Sequence, residues 1–82
     1  MDRLEFLEMC KMVSLLPGGI LDIKDTPKEL RVTYDGMTFY PIAYKLSFDN
    51  NGNTVHTAIL HDLKANSIIN CDLLKVKRMC DK

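Results

Sequence analysis

The sequence predicts an α+β fold, an N-terminal helix followed by a strongly bent antiparallel sheet or small barrel of four to five strands. Three observations predict it. Residues 2–16 carry apolar side chains at three- and four-residue spacing, the period of an amphipathic helix. Residues 30–63 read as three strands of alternating character, the period of a half-buried sheet. Between those strands stand two turn sequences, Asp35-Gly36 and Asp49-Asn50-Asn51-Gly52. Asp-Gly tolerates the positive φ that both central residues of a type I′ turn require, and Asp-Asn-Asn-Gly suits a four-residue loop closed by a left-handed glycine.

Asp2 is placed to cap the helix, with Glu5 three residues later as in a capping box. Leu4, Leu7 and Cys10, followed by Lys11 or Val13, form one stripe. Phe6, Met9, Met12 and Leu16 form a second apolar flank. The apolar arc is wider than one sheet face needs, so either the helix is deeply buried or a second copy covers its outer side. Pro17-Gly18-Gly19 ends the helix.

Residues 20–24 alternate as a short candidate strand, and residues 25–29 read as a turn or a single helical turn. Leu30, Val32 and Tyr34 then alternate with Arg31 and Thr33. Across a two-residue turn at 35–36, Tyr34 faces Met37 and Val32 faces Phe39, which puts odd residues inward. Beyond Pro41 the apolar set is even: Ile42, Tyr44, Leu46 and Phe48. A parity switch is therefore required, and Pro41, lacking an N–H, favours a bulge or bend near Tyr40-Pro41. A four-residue loop at 49–52 pairs Leu46 with Val55, Ile42 with Ile59 and Tyr40 with His61. A turn at 64–66 returns the chain through residues 67–71. Residues 73–82 suit a short C-terminal helix or a strand continuation.

The chain reads as one small domain of 82 residues. It is too apolar for a disordered segment, and its zero formal net charge supplies no global field toward nucleic acid or an acidic membrane. Its three cysteines, Cys10, Cys71 and Cys80, are odd in number and lack C-x-x-C spacing. That argues against a disulfide framework or a zinc site and for a reducing compartment. Without a signal pattern or a spanning apolar run, the expectation is a cytoplasmic protein with no membrane partner.

No catalytic set, metal site or cofactor motif is expected. Ser14, Ser47 and Ser67 lack a nucleophile elbow. Gly18-Gly19 follows a helix where a phosphate loop would precede one. His56 and His61, five residues apart on a strand, face opposite ways. Three groups of residues remain as candidate sites. Tyr40, Tyr44, His61 and Arg31 would line a pocket for a small, nucleotide-like ligand. Leu4, Phe6, Met9, Met12 and Leu16 would form a helix-borne interface. Lys75, Lys77 and Arg78 lie in a segment, residues 64–82, with a balance of +3 against −2 for residues 1–29, and would touch nucleic-acid phosphates.

The element order, a helix and then a five-strand meander, is loosely similar to small SH3-like or Sm-like barrels. The short neutral chain resembles the accessory proteins of bacteria and prophages. The expected function is a non-catalytic interaction module acting as a homo-oligomer. A small-ligand binder, or an inhibitor of a host defence enzyme, is the first alternative, and a nucleic-acid binder the second.

Overall fold

Asp2 starts the helix as its sequence position predicts. In the computed structural model, which describes residues 1–16, 27–62, 65 and 67–79, the Asp2 carboxylate accepts the Glu5 backbone N–H at 3.2 Å. The helix α1 runs Arg3–Ser14 and Leu15 caps its end. The candidate strand at 20–24 and the Pro17-Gly18-Gly19 stop lie outside the described residues. A 3₁₀ turn, Lys28–Leu30, leads into the sheet.

Five antiparallel strands follow: β1 Val32–Tyr34, β2 Met37–Phe48, β3 Thr54–Asp62, β4 Ser67–Asp72 and β5 Lys77–Arg78. Their spatial order is β4-β3-β2-β1-β5. Between β4 and β5 a 3₁₀ turn, Leu73–Lys75, carries the chain back to β1. Within its described part, residues 73–79, the C-terminal segment forms a 3₁₀ turn and a two-residue strand where a short helix was one expectation. The sheet stays open, with β4 and β5 as its edges among the described residues, so the barrel form is not adopted.

The first hairpin is the predicted one. Asp35 and Gly36 both take positive φ, 54° and 77°, and Tyr34 meets Met37 while Val32 meets Phe39. A Cβ on Gly36 would touch nothing within 4 Å, so replacement there is penalised by backbone conformation alone. Gly36→Val is expected to cost roughly 1–2 kcal/mol, read as a lower urea midpoint with an unchanged m-value.

The second hairpin differs from the expectation by one residue at each of two places. Phe48 pairs with Thr54, so the loop has five residues, 49–53, rather than four. Asp49 organises it. Its carboxylate accepts the backbone N–H of Asn51 at 2.8 Å and of Asn53 at 2.9 Å, and Gly52 takes φ 84°. The bonds from Asn53 and Asn51 hold the Asp49 carboxyl below its usual pKa. Asp49→Ala should therefore speed hydrogen exchange at the Asn51 and Asn53 amides.

The longer loop makes Leu46 pair with His56, and not Val55. Ala43, rather than Ile42, pairs with Ile59. The register then shifts between Pro41 and Ala43. Ile42 is the extra residue of a bulge, and it cancels the extra loop residue, so Tyr40 still meets His61. The predicted parity switch is present, one residue beyond Tyr40-Pro41. Phe39 lies inward before the bulge, and Tyr44 packs on the same core after it. Met37 and Leu46, expected inward, are 52 % and 46 % exposed, because the helix covers only the middle of the sheet face.

Phe6, Met9 and Cys10 of α1 close over Val32, Phe39, Ala58, Leu60 and Cys71, with Leu73 and Val76 sealing one side. A second cluster joins Val13, Leu30 and Tyr40, flanked by Leu16. The buried helix stripe is therefore 6-9-10-13, while Leu4 and Leu7 face solvent. The Met1 ammonium donates to the Leu73 carbonyl at 3.1 Å, which ties the chain start to the 3₁₀ turn. Among the described residues, no helix is long and apolar enough to cross a membrane.

Candidate functional site

The register brings Tyr40 of β2 and His61 of β3 into one row with Arg31, the residue before β1, since Val32 meets Phe39 and Tyr40 meets His61. Three of the four residues predicted to line a pocket are thus neighbours. The fourth is elsewhere. Each side of a strand changes at a bulge, so Tyr44, beyond Ile42, lies on the helix-facing side against the main core. There it hydrogen-bonds His56 Nδ1 and stacks on that ring with centroids 5.8 Å apart.

Tyr40 is completely buried, and its hydroxyl has no hydrogen-bond partner of good geometry among the described residues. Burial raises its pKa; the Arg31 guanidinium beside it pulls in the opposite direction without reversing the rise. Arg31 is itself buried. A buried phenol, its pKa raised by burial, thus lies beside a buried arginine.

Burial pushes Cys10 up to about 11 and raises Cys71, with Asp72 adding to the rise. A raised thiol pKa favours the protonated folded state, so its contribution to stability is complete below the unfolded value near 9 and falls as pH climbs from there to about 11. Urea midpoints should drop over that window, and Cys10→Ser should flatten the drop. Among the described residues no group of three His, Cys, Asp or Glu side chains is placed to hold a metal ion.

No family model, curated protein or solved structure matches this chain. Its own surfaces therefore carry the functional reading. The basic residues are dispersed. Lys77 and Arg78 are consecutive on β5 and so point to opposite faces. Arg78 Nη1 donates to Glu5 Oε2 at 2.9 Å, and the charge contrast between the two ends of the chain is partly satisfied within one molecule. Lys75 is exposed on the 3₁₀ turn.

Of the helix-borne interface set, Phe6 and Met9 are corrected to core residues at 0 % and 5 % exposure. The reason is rotational: the side of α1 that meets the sheet lies between the two predicted flanks and takes Phe6 and Met9 from one and Cys10 and Val13 from the other. Leu16 is half-buried on the second cluster. Leu4 and Met12 remain exposed.

Sequence reasoning passed over the outer hairpin. β2 and β3 run past the rest of the sheet, because β1 reaches only to Phe39 and β4 only to Thr57. On the helix-facing side of this arm the cross-strand pairs are Leu46–His56 and Phe48–Thr54. Leu46 is 46 % and Phe48 67 % exposed. The side holds no Lys, Arg, Asp or Glu, since Lys45 points to the other face. The signal was present in the sequence as two large apolar residues just before the loop, on strand positions more distant than one helix reaches.

Proposed function

We propose that the chain is a non-catalytic interaction module that self-associates through the outer arm of β2 and β3. The carrying observation is Phe48, an aromatic side chain two-thirds exposed at the end of a two-stranded arm. An isolated two-stranded hairpin is marginal in water, and here its apolar side lies beyond its own helix. The side carries no Lys, Arg, Asp or Glu, so a two-fold axis can bring it against its copy without repulsion between such charges, as an isologous interface requires. An interface of standard size takes about 800 Å² per partner, and Leu4 and Leu7 are further exposed apolar residues, on α1. Light scattering at ~10 μM is expected to give a mass near twice that of the 9.4 kDa chain. A strictly monomeric mass would remove this reading.

The small-ligand reading loses its support, because one tyrosine hydroxyl is buried and the other is bonded to His56. The nucleic-acid reading loses its support through the Arg78–Glu5 pair and the dispersal of the lysines.

A further inference from the structure

A groove of about 410 Å³ runs between α1 and the Lys28–Leu30 turn. Its floor is apolar, made by Met9, Met12 and Leu30, and its rim carries Glu5, Glu8, Glu29 and Arg78. Arg78 is committed to Glu5. Glu8 and Glu29 are exposed and have no ion-pair partner among the described residues, so the described rim presents two carboxylates to solvent. A second groove of about 420 Å³ shares Met12, Glu29 and Leu30 with the first and continues over Leu15 and Pro27. Together they follow the helix from Glu5 to Leu16, roughly 16 Å at the helical rise. That length suits a peptide segment of about three helical turns better than a compact small molecule.

We propose that this groove docks a basic amphipathic segment of a partner protein. Its apolar side chains would lie over Met9, Met12 and Leu30, and its Lys or Arg side chains would pair with Glu8 and Glu29. Methionine adapts its shape to irregular apolar partners, and laying an apolar stripe into a groove beside a helix is a recurrent mode of peptide recognition. The charges select the sign of the partner. A neutral or acidic segment would strip water from Glu8 and Glu29 without pairing them, which costs binding free energy. The inference goes beyond self-association through the arm and uses a different surface.

The test titrates the full chain with a labelled synthetic helical peptide of leucine and lysine, and with its counterpart carrying glutamate for lysine. The lysine peptide should bind, and the glutamate peptide should bind at least roughly tenfold more weakly. Glu8→Lys with Glu29→Lys, both exposed and so expected to leave the circular dichroism unchanged, should weaken the lysine peptide by a similar factor. Raising salt from ~50 to ~500 mM should weaken it as well. Leu46→Asp with Phe48→Asp should leave binding unaltered, which separates this groove from the arm. Equal binding of the two peptides, no binding of either, or indifference to the Glu8/Glu29 change would overturn the proposal. So would loss of the dimeric mass in the Glu8/Glu29 variant, since the groove would then be covered by a second copy.

Discussion

Phe39→Ala is expected to leave most of the chain unfolded at 25 °C. Phe39 is fully buried between the helix and the sheet, in a cluster with Phe6, Val32 and Leu60. Truncating a core phenylalanine costs about 3–5 kcal/mol, the lost transfer free energy together with the cavity it leaves. A domain of this size has roughly 4–12 kcal/mol of net stability, and its surface-to-volume ratio favours the lower part of that range. The variant should show a broad or absent urea transition. Phe48→Ala, made on the exposed arm, should keep a midpoint within about 0.5 kcal/mol of wild type in a dilute monomer. If both changes cost the same, the division between core and arm is wrong.

Leu46→Asp with Phe48→Asp should abolish self-association and leave the fold intact. Two carboxylates on each copy would meet their equivalents across a two-fold axis, where like charges that lose solvent cost several kcal/mol. Each 1.4 kcal/mol weakens the dissociation constant about tenfold, so a micromolar dimer should become undetectable. Circular dichroism should be unchanged, because both side chains stand outside the core. Sedimentation of the variant at ~100 μM should give a single species at the chain mass.

The parts of this architecture that depend on neighbours in sequence could be read from the residues. Asp35-Gly36 determines its own turn through two positive φ angles, and the first register follows. The need for a parity switch was equally plain, because Phe39 and Tyr44 cannot both face one core along a regular strand. Where the switch falls was not plain. Asn53 joins the loop and Ile42 bulges; these two one-residue changes cancel at Tyr40–His61, and between them the apolar-to-apolar pairing that the sequence favours, Leu46 with Val55 and Ile42 with Ile59, points to the wrong register.

That cancellation also explains the candidate pocket. Arg31, Tyr40 and His61 are neighbours because they lie on one side of the register shift, whereas Tyr44 lies beyond it. Two further features required tertiary knowledge. Either apolar flank of α1 satisfies the helical period, and the sheet covers a stripe that takes residues from both. Glu5 and Arg78 are 73 residues apart, and nothing in local sequence pairs them. The groove beside them exists only because the Lys28–Leu30 turn comes to rest against α1.

Coverage of the arm's apolar side by a second copy can be measured directly through the three phenylalanines. Uniform fluorophenylalanine labelling places two probes in the core, at Phe6 and Phe39, and one on the arm at Phe48. On dilution from ~500 to ~5 μM, one of the three fluorine resonances should move or broaden and the other two should stay fixed, with the moving signal assigned by its absence in Phe48→Leu. Three resonances that hold their positions across that range would contradict self-association through the arm.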